Sequence, residues 1–219
     1  MTNYKIDHFV FGANTLSEGS NTIKNILHED LSEINTHESM GTHNRVISLG
    51  SNYLEIIAPD PKNQNANNNT WFNLSDKIYR EKFLKIPKLI SFVISSEEFS
   101  SSIFFEKEFF VSRNKYKWFF KKPNFEYLNK NNFTNTNLFP SLINWQSVPP
   151  LNEMKKSSYS FDSLEITLNK NHKLLQDFLL SLNLKEKIKF NFNDNLNDQL
   201  LSLKLTLKSS INGKYILIS

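Results

Sequence analysis

No cysteine occurs in the 219 residues, which excludes disulfides, thiolate metal sites and cysteine nucleophiles. Glycine is scarce, five in all, and none of the five falls in a G-x-G-x-x-G or Walker pattern, so no phosphate-cradling loop is encoded. The G-x-S-x-G elbow of serine hydrolases is missing too. No apolar run approaches the ~20 residues that a bilayer-spanning helix requires. The opening residues, Met1-Thr2-Asn3-Tyr4-Lys5, form neither a basic leader nor a small-residue cleavage site. A cytoplasmic protein without a membrane partner is therefore expected. Charge of one sign is not dominant either: Lys and Arg number 26 against 22 Asp and Glu, a net charge of +4. The lysines are scattered and match no nucleic-acid-reading motif. Aromatics interleave them only over residues 115–122, as a stacking platform would require. That segment reads more simply as an amphipathic edge strand with snorkelling lysines, and no nucleic acid is expected as a partner.

What the chain does have is apolar material. Hydrophobic residues make up 39% and aromatics 13%, with 19 Phe, enough for a packed interior at this length. Residues 5–12 (KIDHFVFG) are apolar on both faces apart from Asp7 and His8, the pattern of a strand covered on both sides. Asn14 and Thr15 are N-cap types ahead of Leu16, Ile23, Ile26 and Leu27 at helical spacing, and the helix should stop near residues 28–30. Residues 45–49 and 53–58 read as strands joined through Gly50-Ser51-Asn52 and stopped by Pro59-Asp60-Pro61. An Asn-rich loop over 62–70, a short helix over 74–83, a strand over 89–95 and a helix over 97–105 follow. Strands are expected over 116–120 and 138–145, with a polar loop over 129–137 between them. The last third repeats the opening: strand 164–168, a helix carrying Leu174, Leu175, Phe178, Leu179 and Leu182 on one face, then alternating strands over 188–192 and 201–207. Asn212-Gly213 turns the chain into a final strand. Strand–helix–strand–strand–strand thus appears at both ends and in blurred form between, so one supersecondary unit is repeated.

Ile6-Asp7-His8-Phe9-Val10, opening such a unit, resembles the first strand of vicinal-oxygen-chelate proteins. Met40-Gly41-Thr42-His43-Asn44-Arg45, then Leu49-Gly50, then Tyr53-Leu54-Glu55-Ile56-Ile57-Ala58-Pro59-Asp60-Pro61 resembles the signature of the glyoxalase-like domain family within that superfamily. Gly19 fits as well, and Phe139-Pro140-Ser141-Leu142-Ile143-Asn144-Trp145 is a weaker match. The resemblance is strong for 4–61, moderate for 138–183 and thin between. It implies an α+β fold of repeated βαβββ modules rolled into a mostly antiparallel sheet around a cleft. Residues 1–145 would form a bimodular core, with modules about 1–61 and 88–145, and 150–219 an additional βαβββ-like unit packed on it. Alternatively the C-terminal unit pairs with the first module and the middle is an insertion.

In this superfamily His and Glu from the first and fourth strands of each module hold a divalent metal, whose open positions polarise a substrate's adjacent oxygens. The resemblance therefore implies His8 and Glu55 as metal ligands, with Zn, Ni, Mn or Fe as the ion. The second module offers only Ser91 and Ile143 or Asn144 at the matching places. Three readings of His8 and Glu55 stand open: metal ligands completed by His43 or water, a metal-free pair with Glu55 as catalytic base and His8 as its partner, or a buried pair satisfying each other. His43, with Asn44 and Thr42, is placed to grip a substrate oxygen or to anchor its own loop. His37 reads as a solvated loop residue that reaches the same rim only in the less favoured case. His28 and His172 fall at helix ends or exposed turns. Two functions follow: a lyase-, isomerase- or dioxygenase-like enzyme acting on a small carbonyl or oxygenated metabolite, or a non-catalytic small-molecule binding and sequestering protein. Either would act as a monomer or a homodimer.

Overall fold

A computed structural model of the chain describes residues 3–63, 71–99, 101–131, 133, 135–169, 172–193 and 201–219. The first strand β1 (Lys5–Gly12) runs into helix α1 (Leu16–Leu27), and β2 (Asn35–His37), β3 (Thr42–Ser48) and β4 (Tyr53–Pro59) complete the first module. α1 begins where the sequence asks it to. Thr15 accepts from the Glu18 backbone and Glu18 returns the bond, a capping box that contributes about 0.5–2 kcal/mol. It ends on His28 in the left-handed region. Its apolar face lies against β4 so closely that a Cβ on Gly19 would come within 2.8 Å of Ile56 and 2.9 Å of Ala13.

After a short helix α2 (Lys77–Phe83), β5 (Lys88–Ser95), β6 (Phe109–Arg113), β7 (Tyr116–Lys121), helix α3 (Phe125–Lys130) and β8 (Ser141–Trp145) form the second module. The two modules share one eight-stranded sheet in the order β2-β3-β4-β1-β5-β8-β7-β6. Each closes by a parallel pair, β1 with β4 and β5 with β8, and the seam between them is the antiparallel pair β1–β5. A chain of mixed helices and curled, mostly antiparallel sheet is the α+β fold that the resemblance implies.

Three expectations change. The helix over 97–105 is absent among the described residues. Phe104 and Phe105 both pack inward, on Phe139 and Phe178, which adjacent residues of a helix do not do, and the segment's serines add little helix propensity. The segment at 116–121 is not an edge: β7 is paired on both sides, with β6 outside it, so Trp118 and Phe120 are buried. His172 is buried rather than exposed. Its Nδ1–H donates to Asn169 Oδ1 at 2.6 Å and its ring meets Phe133 edge-on at 4.4 Å. The expected Asn-rich loop falls mostly on 64–70, outside the described residues.

The last run, β9 (Tyr159–Leu168), α4 (Lys173–Ser181), β10 (Ile188–Phe192), β11 (Ser202–Ser209) and β12 (Tyr215–Ile218), has the module's element order with a different pairing. Its sheet runs β10-β9-β11-β12, so the first strand pairs in parallel with the second rather than with the last. This sheet covers one face of the large one. Phe9, Leu54, Ile56 and Phe92 share a core with Leu164, Ile166, Leu203 and Leu205, and Phe161 lies 4.9 Å from Phe9. The other face carries a second apolar cluster, Val10, Ile57, Ile90, Val93, Trp118 and Phe120, and holds the cleft. No helix among the described residues is long and apolar enough to cross a membrane.

Candidate functional site

A cavity of about 430 Å³ lies on that uncovered face. His8, Asn44, Tyr53 and Glu55 form its first-module wall; Arg113, Tyr116, Trp118, Phe120, Ile143 and Trp145 form the second. Strand alternation explains most of this. Tyr53, Glu55 and Ile57 share a face of β4, and the antiparallel register sets Val46 beside Glu55 and Asn44 beside Ile57. Asp7 and His8 are neighbours in sequence and yet both turn to the cleft side of the sheet, where His8 lines the cavity and Asp7 bonds His8 and Trp145. The register against β5 slips between Ile6 and His8, and this bulge turns two successive side chains to one side.

Glu55 is the centre of the first wall. Asn44 Nδ2 donates to its Oε1 at 2.5 Å, and His37 Nε2 stands 3.9 Å from the same oxygen. Its Oε2 has His8 Nε2 at 3.7 Å, beyond hydrogen-bonding distance. His8 Nδ1 lies 2.7 Å from Asp7 Oδ1. A carboxylate only accepts, so the proton of that bond belongs to the ring, and Nε2 is the nitrogen presented to Glu55. Asp7 is held in turn from the second wall: Trp145 Nε1–H donates to its Oδ2 at 2.9 Å. Tyr53 stacks on the His8 ring at 4.5 Å, and its phenol is pushed well above the usual range by burial and then by the charges of Asp7 and Glu55.

His37 is a wall residue that the sequence reading undervalued. Its Nδ1 lies 2.9 Å from Thr42 Oγ1 and its Nε2 3.4 Å from Asn44 Nδ2. Burial, followed by the charge of Arg113, lowers its pKa well below the ordinary value, so the ring is neutral. Thr42 therefore positions His37 rather than lining the cavity. His43, one residue along, points the other way. It lines a separate, larger hollow of about 840 Å³ beside the start of α1, with Arg45, Asp60 and Arg80. The structure thus brings His8, Asn44 and Glu55 together and leaves His43 on the opposite face of β3. The charged groups of that larger hollow are already engaged: Arg45 on Ser32 O, Arg80 on Leu74 O, Lys24 on Asp30.

The second wall has a different chemistry. Trp71, Trp118 and Trp145, all three tryptophans of the chain, line the cavity. Arg113 stands at the end of β6 with its guanidinium 5.9 Å above the Trp118 ring. Two buried polar atoms of residues lining this cavity, Asn44 Oδ1 and Arg113 Nη1, have no partner among the described residues. Ser91, the second-module counterpart of a first-strand ligand, is buried outside it, and Ile143 occupies the other counterpart position. Among the described residues no group of three or more His, Cys, Asp or Glu is arranged to hold a metal ion. With Ser91 outside the cavity and Ile143 apolar, these residues do not supply the two further donors that a four-ligand site of the family would need.

Strand order, curled sheet and cleft define a protein of the vicinal-oxygen-chelate type. The family model described as "Glyoxalase-like domain" matches residues 6–178, and the chain belongs to that family. Among solved structures, a hypothetical protein from Staphylococcus aureus is similar at 14% identity and a TM-score of 0.56, over 98% of this chain and 84% of that one. That likeness is one of fold. Methylmalonyl-CoA epimerase from Mycobacterium tuberculosis matches at 9% identity and a TM-score of 0.41, over 68% and 91%. A variant of the Streptomyces coelicolor methylmalonyl-CoA epimerase, in complex with 2-nitronate-propionyl-CoA, matches at 9% and 0.41, over 65% and 97%. No curated protein matches.

Proposed function

We propose that the chain binds a small carbonyl or oxygenated metabolite between the two walls and that Glu55 takes a proton from it. The observation that carries this reading is Glu55 Oε2. It belongs to a residue lining the cavity, has no hydrogen-bond donor among the described residues, and sits on a carboxylate fixed through its other oxygen by Asn44. A base must be held still and left open toward the substrate, and this one is both. The transferred proton leaves a carbon next to the carbonyl, and the electron pair of that C–H bond moves into the carbonyl as an enolate. The return of a proton completes an isomerase-type exchange. Asp7 and Trp145 keep His8 oriented beside the base. The test is a magnetic-resonance screen of small carbonyl compounds in deuterated water, reading binding by saturation transfer and proton abstraction by deuterium wash-in. Glu55→Gln should retain binding and slow wash-in by about 100-fold or more.

A second reading, binding without turnover, is favoured by the aromatic lining, in which Trp71, Trp118 and Trp145 offer indoles for stacking while, among the described residues, no built cradle for an enolate oxygen stands beside them. Binding without wash-in in the wild type selects it; no binding by any compound sinks both.

The proposed chemistry runs without a divalent cation. Protein purified without chelators should carry well under one equivalent of Zn, Ni, Mn or Fe by elemental analysis. One equivalent, lost in both His8→Ala and Glu55→Ala, would overturn that and restore the ligand reading of the two residues.

A further inference from the structure

Arg113 is a cation placed in this cleft with no anion to bind among the described residues. Its side chain is half-buried at the β6 end, beside the tight turn where Asn114 takes a positive φ of 54°. Nη1 is buried and makes no hydrogen bond to a described residue, and no carboxylate among them forms an ion pair with it. The acidic groups within reach of the cavity are otherwise occupied or outside. Glu153 is held by Lys115 Nζ at 2.6 Å and Tyr116 Oη at 2.8 Å, Glu33 is exposed at the mouth, and Glu55 belongs to the opposite wall. The field of Arg113 nonetheless crosses the cavity. It opposes protonation of His37 and eases deprotonation of Tyr53, both on the first wall.

A guanidinium nitrogen buried without an acceptor is a lasting cost to the empty protein. Such a cost is kept where a ligand removes it. The planar fork over an indole matches a planar carboxylate, which would accept from Nη1 while the body of the ligand stacks on tryptophan. We propose that Arg113 anchors a carboxylate, so that the ligand is an oxo acid rather than a neutral aldehyde or ketone. This rests on the cleft being the ligand site and adds the ligand's charge and direction. Attraction to Arg113 and repulsion from Glu55 admit an oxo acid one way round, carboxylate toward β6 and the carbon beyond its carbonyl toward Glu55.

The test uses matched pairs by calorimetry: linear, branched and aromatic 2-oxo acids, phenylpyruvate among them, each against its neutral methyl ketone, phenylacetone in that case. For at least one pair the wild type should bind the acid about 10- to 100-fold more tightly. Arg113→Met should erase that difference, leave the ketone's affinity unchanged and not lower the melting temperature, since it removes an unpaired cation. Arg113→Lys keeps the charge without the fork and should lose several-fold on the acid alone. Ketones bound as tightly as acids would overturn the carboxylate anchor and leave the cleft reading standing. A preference that survives in Arg113→Met, a melting temperature that falls on that substitution, or tighter binding of the corresponding phosphonates would also overturn it. Failure of every pair to bind would take down the cleft reading as well.

Discussion

The two halves of the eight-stranded sheet repeat one strand order and present opposite chemistries to the same cavity. The first module offers His8, His37, Asn44 and Glu55, with Asp7 behind His8; the second offers Arg113, Tyr116, Trp118 and Trp145. In the first half polar side chains are wired to one another, so their positions are set within the module. In the second, aromatic rings set the shape and one guanidinium is left unspent. Backbone symmetry therefore carries no symmetry of function: a strand pairing constrains only main-chain groups and the inside–outside alternation, and any side chain that suits the face is accepted.

Trp145 is the second-wall residue tied to the first wall, and breaking that tie has the largest structural effect expected. Trp145→Phe keeps an aromatic ring and removes the Nε1–H bond to Asp7 Oδ2. It should cost about 1–3 kcal/mol in chemical denaturation, because a buried carboxylate oxygen loses its donor. It should also slow the proposed proton abstraction by Glu55, by releasing His8.

A smaller effect separates the walls by pH. His37 has its folded pKa below the unfolded value of 6.5. Below 6.5 the unfolded chain takes up a proton that the folded chain refuses, so this residue's contribution to stability is complete above 6.5 and is lost as pH falls further. The melting temperature should decline on acidification below that point, and His37→Gln should flatten the decline. An unchanged slope would mean that His37 is solvated. The smallest effect expected is none: His43→Ala, on the far face of β3, should leave ligand affinity within error. A loss of affinity there would put His43 back in the site.

Much of this was legible in the order of residues. The capping box at Thr15 and Glu18, the strand at 5–12 and the Asn212-Gly213 turn follow from local preferences, and the residues that carry the resemblance, Asp7-His8 and Glu55, meet on one wall of the cavity. His43 is next to Thr42 and Asn44 in sequence but lines the other hollow, because alternation sends successive residues of a strand to opposite faces. Arg113 gave no signal at all: its strand was not foreseen, and an arginine before Asn114-Lys115 reads as an ordinary surface turn.

The sequence by itself determined most of the local elements, among them β1, α1 and its cap, β4 and the Asn212-Gly213 turn, because hydrophobic period, caps and turns act over a few residues. Only the tertiary structure decided that the middle segment completes the large sheet, that a bulge turns Asp7 and His8 together, and that Arg113 faces Glu55 across a cavity. Those depend on strand partners as distant in the chain as Ile6 and Ile94. Their register is set by packing summed over the whole core and is written in no single window of the chain.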